Sequence, residues 1–439
     1  MMKKELTPNS IQYFKQQLDQ QPAKEVVAHA VMNQGINAVS ENPQAKVNLN
    51  RVFSIDLPTG KVTAQEKSGR CWLFATLNTL RHEFANEYKV KDFEFSQNYL
   101  SFWDRVEKAN SFFEMIIETA DLPTDDRRVN SLLKMPDEDG GQWANAAALI
   151  QKYGLVPKYA MPETQPSNHT NEFSQVLGKQ LRKGAMILRQ LHQSGASADE
   201  MEKKKDELMA IIYRMCTYSF GEPVEHFDFE YYDDDKNYHC DRDLTPITFR
   251  DRYVKRILDD YVVLCNAPDR PYYQRYALYD EDNVQGGRHV EFINTPADIF
   301  KQLLLQQLKD GETTWFGCDV LQQMNRQEGF LDSNLYCHGK LFDTDLSFTK
   351  EERFRYFEAV CSHAMTFTGV DLVDDQPTRW KVENSWGDKI GDKGYFVMSD
   401  SWFDDYVYEV VINKKYLTEP LQKALQTEPV RIELWDALA

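Results

Sequence analysis

The stretch from Gln65 to Trp72 places a cysteine at the start of an apolar helical pattern. A thiol at a helix N-terminus lies at the positive end of the macrodipole, beside backbone N–H groups without intrahelical partners, and both favour the thiolate. The same N–H groups, with a side-chain amide from the preceding loop, are able to bind the oxyanion of a tetrahedral intermediate. Gln65, six residues before Cys71, is suited to supply that amide. For an isolated cysteine, the commoner alternative is a buried structural thiol.

Two segments near the other end of the chain supply the partners that a cysteine nucleophile needs. His363 begins an alternating, strand-like run, and Asn384 is followed by Ser385, Trp386 and Gly387. A nucleophilic cysteine requires a base that accepts its proton, and the base requires a third group that fixes its tautomer. Asn384 is able to act as that neutral acceptor, and Trp386 to shield the His–Asn hydrogen bond from water. Each motif alone fits a core histidine or a surface turn, but their joint occurrence in this order favours a catalytic site.

The chain with these motifs resembles the papain superfamily, and within it the branch of bacterial aminopeptidase C and bleomycin hydrolase. The papain-type signature appears as Ser68-Gly69-Arg70-Cys71-Trp72, with Ser68 in place of its first cysteine. In secreted relatives that cysteine forms a disulfide, so its replacement fits a reducing compartment. The catalytic histidine of papain-like enzymes follows the cysteine by about 130–150 residues. Here His363 follows Cys71 by 292 residues, which indicates a large insertion and favours the aminopeptidase C branch.

The resemblance implies a cysteine peptidase that needs neither a cofactor nor a metal. Its catalytic residues and their two supporting tryptophans are then Cys71, His363, Asn384 and Gln65, with Trp72 and Trp386. In such an enzyme the cysteine attacks the peptide carbonyl and the histidine protonates the leaving amine. His82, on the same helix as Cys71, is roughly 16 Å further along the helix axis and is therefore too distant to be the base.

The glycine pair Gly140-Gly141 and the last residue, Ala439, are the substrate-binding residues that the resemblance implies. Glycine lets a peptide approach closely and pair with the loop as a strand would; a tight turn is the alternative for the two glycines alone. In the resembled family the C-terminal arm lies in the cleft and offers its carboxylate to the free α-amine of the substrate. The usual ending has a further Pro-Met-Gly segment between Asp436 and Ala437, and its absence shortens the arm by up to about 10 Å. We therefore expect an aminopeptidase, with a same-family endopeptidase or oligopeptidase as the alternative.

The fold that the resemblance implies is α+β and papain-like, with a helical lobe and an antiparallel β-barrel lobe that meet at the active-site cleft. The predicted regions are an N-terminal arm over residues 1–60, a helical lobe with the nucleophile over 61–164, a mainly helical insertion over 165–285, a barrel lobe with His363 and Asn384 over 286–430, and a C-terminal arm in the cleft over 431–439.

Hydrophobic periodicity predicts several elements of this fold. The residues that recur at helical spacing behind Cys71 are Phe74, Leu77, Leu80 and Phe84, and they predict a buried helix face. A capping box at Ser197 and Glu200 predicts the start of the second helix of a hairpin in the insertion. The predicted strands of the C-terminal half are Thr314–Cys318, Ala364–Val373, Arg379–Val382, Tyr395–Met398 and Tyr406–Ile412.

Composition restricts the partners and the compartment. A formal net charge of −18 disfavours nucleic-acid binding, because phosphate repels such a surface. The start of the chain has no apolar secretion signal, and no run approaches the length of a membrane span. Seven cysteines, an odd number without a CxxC pair, argue against a disulfide framework and a zinc ribbon. We expect a cytoplasmic enzyme that acts on peptides, and the resemblance implies a homohexamer.

Three other classes of protein compete with this interpretation. A transglutaminase-like acyltransferase favours an acidic third member, where this chain has Asn384. A metallo-aminopeptidase needs an HExxH motif or convergent carboxylates, and neither is evident. A catalytically inactive scaffold does not account for four intact catalytic positions.

Overall fold

The helix that begins at Cys71 lies between a helical layer and a large sheet, and it contacts both. The computed structural model describes residues 4–439. The helices are, in chain order, α1 (Pro8–Asp19), α2 (Lys24–Gln34), α3 (Ile36–Ser40), α4 (Pro43–Val47), α5 (Cys71–Tyr88), α6 (Gln97–Glu118), α7 (Arg127–Lys134), α8 (Trp143–Tyr153), α9 (Gln165–Asn168), α10 (Thr170–Gln193), α11 (Ala198–Phe220), α12 (Pro246–Tyr253), α13 (Ala297–Lys309), α14 (His338–Phe342), α15 (Lys350–Arg355), α16 (Asp400–Tyr406) and α17 (Glu419–Ala424). The strands are β1 (Ile55–Asp56), β2 (Phe227–Tyr232), β3 (Tyr238–Leu244), β4 (Tyr261–Cys265), β5 (Arg275–Ala277), β6 (Glu291–Asn294), β7 (Thr314–Cys318), β8 (Met324–Asn325), β9 (Phe330–Leu331), β10 (His363–Val373), β11 (Gln376–Glu383), β12 (Tyr395–Ser399), β13 (Val407–Asn413) and β14 (Val430–Arg431).

Helix α5 is covered on all sides, which explains why its sequence mixes apolar and polar residues. The predicted core face is confirmed, since all four of its members are no more than 2% exposed: Phe74, Leu77, Leu80 and Phe84. The helix also buries Thr76, Asn78 and Arg81. Buried polar groups of this kind need hydrogen-bond partners, and Thr76 donates to the carbonyl of Trp72 at 2.8 Å.

The main sheet forms the second half of the molecule and carries His363 at the start of β10. Its strands are hydrogen-bonded in the order β14-β5-β6-β4-β13-β7-β10-β11-β12-β9-β8, and β1 pairs with β10. The central run from β4 to β12 is antiparallel, whereas the pairs β4–β6, β9–β12 and β5–β14 are parallel. The α+β class is therefore confirmed, with a mixed sheet where the sequence analysis expected an antiparallel one.

All five predicted strands are present and β7 has the predicted bounds, whereas β10, β11, β12 and β13 differ from the predicted bounds by one to three residues at one or both ends. The strand expected from Tyr406 begins one residue later, at Val407, because Tyr406 still belongs to α16, which Ser399 caps through a hydrogen bond to the N–H of Trp402. Helices α10 and α11 form the expected hairpin of the insertion, and Ser197 and Glu200 make the predicted capping box. The division into five regions stays a prediction.

The first two helices, α1 and α2, are barely packed. Neither α1 nor α2 buries a residue, and Tyr13 and Phe14 of α1 are both more than half exposed. The predicted N-terminal arm begins with residues 1–3, which lie outside the described part. None of the helices within residues 4–439 has both the length and the apolar character needed to cross a membrane.

A buried carboxylate ties α5 to the strand that ends at the predicted catalytic asparagine. Glu383, the last residue of β11, forms an ion pair with Arg81, and its second oxygen lies 2.8 Å from Nε2 of His82. All three side chains are no more than 3% exposed. Burial alone raises the pKa of Glu383, but the charges and hydrogen bonds of His82 and Arg81 outweigh it and hold the pKa below its usual value. The contact therefore fixes the nucleophile helix against the sheet.

We predict that Glu383→Ala destabilises the protein by about 3–5 kcal/mol at neutral pH, because it leaves Arg81 buried without its counter-ion. Urea unfolding followed by tryptophan fluorescence measures the change. The control is Glu419→Gln, which breaks an ion pair with Lys423 whose two side chains are 75% and 74% exposed; an exposed pair of this kind contributes at most about 1 kcal/mol. Equal unfolding midpoints for the two variants would contradict the prediction.

Candidate functional site

Cys71 is the first residue of α5, as the sequence predicted. The helix has Arg70 as its N-cap, without a side-chain hydrogen bond to the first turn. Instead, the Arg70 side chain is buried and forms an ion pair with Glu163 at 3.0 Å, and its Nε donates to Ser68 at 2.9 Å. These contacts hold the loop before the cysteine, and the free N–H groups of the first turn remain directed at the space beside the thiol.

His363, the first residue of β10, and Asn384, which directly follows β11, are joined by a hydrogen bond. Nε2 of His363 lies 2.9 Å from Oδ1 of Asn384, and the same oxygen accepts the backbone N–H of Ser385 at 2.8 Å. An oxygen acceptor fixes the tautomer with the proton on Nε2, so that Nδ1 of His363 is free to accept another proton. Asn384 is fully buried. The arrangement is the one that a base and its orienting group require.

A cavity of about 380 Å³ brings Cys71 and His363 together. Residues from both halves of the molecule line it: Gln65, Gly69, Cys71, Trp72, Gly140, Gly141, Gln142, Trp315, Gly317, Val320, Leu321, Cys361, Ser362, His363, Ala364 and Trp386. It lies between α5 and the sheet; that this cavity is the active-site cleft stays a prediction. Within residues 4–439, no group of three or more His, Cys, Asp or Glu side chains is arranged to hold a metal ion.

Trp386 covers the histidine on one side. Its ring centroid lies 4.7 Å from that of His363, with the two planes tilted by 36°. Trp386 also contacts Arg326, whose guanidinium carbon lies 4.3 Å from the centroid of the Trp386 ring. A cation at this distance is attracted to the face of an indole. The histidine is therefore held between a hydrogen bond at its edge and an aromatic ring at its face.

Gln65 lines the cavity with an amide that is already oriented. Its Oε1 accepts a hydrogen bond from the Ser385 hydroxyl at 2.6 Å, which fixes the direction of the amide. Its Nε2 donates one hydrogen to the carbonyl of Ser68. Because a primary amide carries two N–H donors, the second remains available to a bound oxyanion. Ser385 directly follows Asn384, and so one short segment orients both the base and the amide donor.

Asp139 connects the nucleophile loop to the glycine pair, a function that the sequence analysis missed. Its carboxylate accepts the backbone N–H of Gly69 at 2.8 Å and the hydroxyl of Thr170, and it forms an ion pair with Arg105. Its carbonyl accepts the indole N–H of Trp72 at 2.8 Å. The only sequence signal was its position next to the two glycines, since its partners are distant along the chain.

The two predicted substrate-binding positions, Gly140 and Gly141, differ in how much space they leave for a side chain. A Cβ atom on Gly141 would lie 2.8 Å from the Trp72 ring, so this position requires glycine for close packing. A Cβ atom on Gly140 would meet nothing within 4 Å, and the Gly140 carbonyl accepts a hydrogen bond from Lys108 at 2.5 Å. The backbone at Gly140 is therefore open to the cavity and held in place from behind.

Burial disfavours charge on both members of the Cys71–His363 pair. It raises the pKa of the Cys71 thiol, although the backbone N–H groups of Ala364, Trp72 and Cys71 itself act in the opposite direction. Burial also lowers the pKa of His363 to about 4; the Asn384 hydrogen bond raises it and the charge of Arg326 lowers it. The thiolate expected from the helix N-terminus is thus opposed by desolvation. Proton transfer within the pair costs less than charging either group alone, because the two charges attract each other.

The C-terminal arm reaches residues that line the cavity on both sides. Nε2 of Gln142 donates to the carbonyl of Leu438 at 3.2 Å, and the backbone N–H of Cys361 donates to the carbonyl of Ala437 at 3.4 Å. Leu438 is fully buried. Among residues 4–439, no Lys, Arg or His nitrogen forms an ion pair with the terminal carboxylate of Ala439. The arm therefore ends beside the cavity, although Ala439 does not line it.

Comparisons with known proteins give one consistent result. The model of the Peptidase C1-like family matches residues 5–439. The chain is 48% identical to Aminopeptidase G of Lactobacillus delbrueckii subsp. lactis and 48% identical to Aminopeptidase E of Lactobacillus helveticus, in each case over 100% of both chains. It superimposes with a TM-score of 0.98 on the crystal structure of PepW from Lactobacillus rhamnosis HN001, at 51% identity over 100% of this chain and 99% of that one.

We predict that Arg326→Gln shifts the acid limb of the kcat/KM profile to higher pH. The charge of Arg326 lowers the pKa of His363, so its removal raises that pKa, and the base is lost to protonation at a higher pH. Because Arg326 is exposed, salt screens its charge and the shift is larger at low ionic strength. Lys389→Gln removes another exposed cation, three residues after Trp386 in the sequence, that does not act on the pKa of His363; it is the control and leaves the limb unchanged. An unshifted limb in Arg326→Gln would contradict this electrostatic effect.

Proposed function

Because the chain belongs to the Peptidase C1-like family of cysteine-type peptidases, we propose that it is a cytosolic aminopeptidase that removes N-terminal residues from peptides. The proposal rests mainly on the hydrogen bond between His363 and Asn384, because His363 lines the same cavity as Cys71. The names of the relatives support the preference for N-terminal residues. Ser68, which takes the place of a disulfide cysteine, and the need for a reduced Cys71 support the cytoplasm as its compartment.

In the proposed first step the Cys71 thiol passes its proton to Nδ1 of His363 and the sulfur attacks the peptide carbonyl. The backbone N–H of Cys71 and the second N–H of Gln65 stabilise the oxyanion. The imidazolium then donates its proton to the leaving amine as the C–N bond breaks, which leaves an acyl-enzyme on Cys71. Asn384 holds the ring throughout, and its neutral oxygen does not compete with the thiol for the proton.

In the second step water replaces the leaving amine. His363 accepts a proton from the water as the oxygen attacks the thioester, and the same N–H groups stabilise the second oxyanion. The thiolate leaves and recovers the proton from His363. Trp386 keeps solvent from the His363–Asn384 hydrogen bond, and Gly140 offers its open backbone to the substrate chain.

The proposed exopeptidase preference depends on the C-terminal arm. The arm ends between Gln142 and Cys361, two residues that line the cavity from opposite sides. The carboxylate of Ala439 has no cationic partner among residues 4–439, and a substrate with a free α-amine would supply one. An ion pair between the Ala439 carboxylate and the α-amine favours peptides that have a single residue on the N-terminal side of the cleaved bond.

A same-family endopeptidase or oligopeptidase is the second candidate, and the conformation of the arm favours it. The last residues form a turn. The N–H of Ala439 donates to the backbone carbonyl of Asp436 at 3.1 Å, and the N–H of Leu438 donates to the side-chain carboxylate of Asp436 at 3.0 Å. Asp436 is in turn held by Arg270 at 2.9 Å. A turned and shortened arm leaves more of the cleft to the substrate than an extended one.

We also propose that the chain assembles with copies of itself, as a homohexamer by resemblance to the family. The exposed apolar side chains of α1 support this, because the helix buries none of its residues in the monomer. A helix of this kind gains stability only when its apolar side chains are covered. Peptides are the expected substrates, and the net charge of −18 argues against nucleic-acid partners.

The substrate preference is tested with leucyl-aminomethylcoumarin and its N-acetylated analogue. For an aminopeptidase we expect the free-amine substrate to have the higher kcat/KM by at least about tenfold, the loss expected when a charged group is left unpaired. Deletion of Ala439 alone moves the terminal carboxylate while it keeps the buried Leu438, and should reduce that preference. Equal cleavage of both substrates, unchanged by the deletion, would favour the endopeptidase.

The matched control for these measurements is Cys71→Ala, which should abolish cleavage of both substrates while the far-ultraviolet circular dichroism stays unchanged. Residual activity at the level of the unmodified chain would exclude Cys71 as the nucleophile.

Light scattering tests the assembly. We expect a mass several times that of the 51.3 kDa chain, and a smaller one for the variant Tyr13→Ser/Phe14→Ser, which removes two exposed aromatic groups of α1. A monomer at all concentrations would contradict the proposal.

A further inference from the structure

Arg326 is an exposed cation at the edge of the cavity, and the proposed mechanism does not use it. It lies in the turn between β8 and β9. Its guanidinium carbon lies 4.3 Å from the centroid of the Trp386 ring, and Trp386 lines the cavity. Within residues 4–439, no carboxylate forms an ion pair with Arg326 and no oxygen accepts a hydrogen bond from it. The N–H donors of this guanidinium are therefore open to a ligand.

The acidic side chain of the same turn is bound elsewhere. Glu328 forms an ion pair with Lys46 and accepts a hydrogen bond from Nδ2 of Asn325 at 2.7 Å. Arg326 lies instead over the Trp386 ring, to whose face a cation is attracted. Stacking on a ring fixes the plane of a guanidinium but leaves the N–H groups at its edge free. The turn thus presents an oriented positive charge to solvent.

The charge of Arg326 lies close to the reacting groups. The Trp386 ring that it contacts also packs on the base, with its centroid 4.7 Å from that of His363. The charge of Arg326 lowers the pKa of His363, and electrostatic effects of this kind weaken with distance. A substrate whose carbonyl lies between Cys71 and His363 therefore extends toward Arg326 on one side of the cleaved bond.

The order of the strands shows which side of the bond this is. In the sheet, β7 lies on one side of β10, and β11, β12, β9 and β8 lie on the other. The C-terminal arm contacts Cys361, whose sulfur lies against Gly317 of β7. Arg326 belongs to the β8–β9 turn, so it lies on the opposite side of His363 from the arm. Because the arm meets the N-terminal end of the substrate in the proposed function, Arg326 faces the part that leaves as the amine.

We propose that Arg326 is a specificity residue that binds a carboxylate on the leaving side of the cleaved bond. The carboxylate is either the C-terminus of a short peptide or the side chain of an aspartate or glutamate that follows the bond. The proposal rests on the proposed function, because it assigns a substrate class to the same site. A guanidinium pairs with a carboxylate through two parallel N–H donors. The net charge of −18 otherwise repels acidic peptides, so a local cation favours their binding.

The test is Arg326→Gln, measured with two pairs of substrates from which the release of leucine is followed by liquid chromatography. The first pair is leucyl-glycine and leucyl-glycinamide, which differ in the C-terminal charge. The second is leucyl-aspartyl-amide and leucyl-asparaginyl-amide, which differ in the side-chain charge. We expect the variant to lower the ratio of kcat/KM values, acidic over neutral, by about fivefold in at least one pair, the effect of losing an ion pair at an exposed site.

The two pairs identify the source of the carboxylate. A fall in the first ratio assigns Arg326 to the C-terminus of the substrate, and a fall in the second assigns it to an acidic side chain. Unchanged ratios, or an equal fall for all four substrates, would overturn the proposal. The shift in the pKa of His363 affects every substrate alike, so it cancels within each pair.

A second variant separates the charge of Arg326 from its packing on Trp386. Arg326→Lys keeps the charge and should retain more of the ratio than Arg326→Gln does. Equal losses in the two variants would show that the charge is not recognised, and would also overturn the proposal. Because Arg326 is exposed, high salt should lower the same ratio in the unmodified enzyme.

Two controls separate this inference from the proposed function. Arg242→Gln removes an exposed arginine that pairs with Asp228 and Glu230 on the β2–β3 hairpin; this hairpin packs on Phe84, near the opposite end of α5 from Cys71. Both ratios should stay unchanged in that variant. If the unmodified enzyme cleaves these substrates and Cys71→Ala does not, the proposed function stands even when Arg326→Gln has no effect. If the unmodified enzyme cleaves none of them, the proposed function itself fails.

Discussion

The buried ion contact of Glu383 with Arg81 and His82 is the interaction on which the geometry of the site depends. Arg81 and His82 belong to the helix that begins at Cys71, and Glu383 directly precedes Asn384. The contact therefore sets the nucleophile helix against the strand that orients the base. Because one carboxylate meets two basic side chains away from water, removal of any partner leaves a buried group uncompensated. The helix is thereby held at a fixed height relative to His363.

A second group of contacts fixes the loop side of the cavity. Asp139 binds the nucleophile loop through Gly69 and supports the indole of Trp72 through its carbonyl. Gly141 packs so closely on that indole that no side chain fits. The open backbone at Gly140 is a consequence of this packing. These contacts hold the cavity wall in place from behind, which is the condition for an oriented active site.

Desolvation decides the electrostatics of the cavity. It opposes charge on both Cys71 and His363, and it leaves Glu409 largely protonated near neutral pH. In the proposed mechanism, charges in this region are favourable only in pairs, as when the Cys71 thiolate faces the His363 imidazolium. The terminal carboxylate of Ala439 belongs to the same pattern.

The sequence alone indicated the proposed chemistry of the site and several of the elements that carry it, because Gln65, Cys71, His363 and Asn384 belong to local motifs with a direct chemical interpretation. Helical and strand periodicity likewise predicted the core face of α5 and five strands of the sheet, four of them with bounds that differ by one to three residues. The contacts of Glu383 with Arg81 and His82, the contacts of Asp139 with the loop before Cys71, and the burial of Glu409 were decided only by the tertiary structure. Their partners are tens to hundreds of residues away, and a buried charge is indistinguishable in sequence from a solvated one. Only packing determines which side chains lose water and which neighbours replace it.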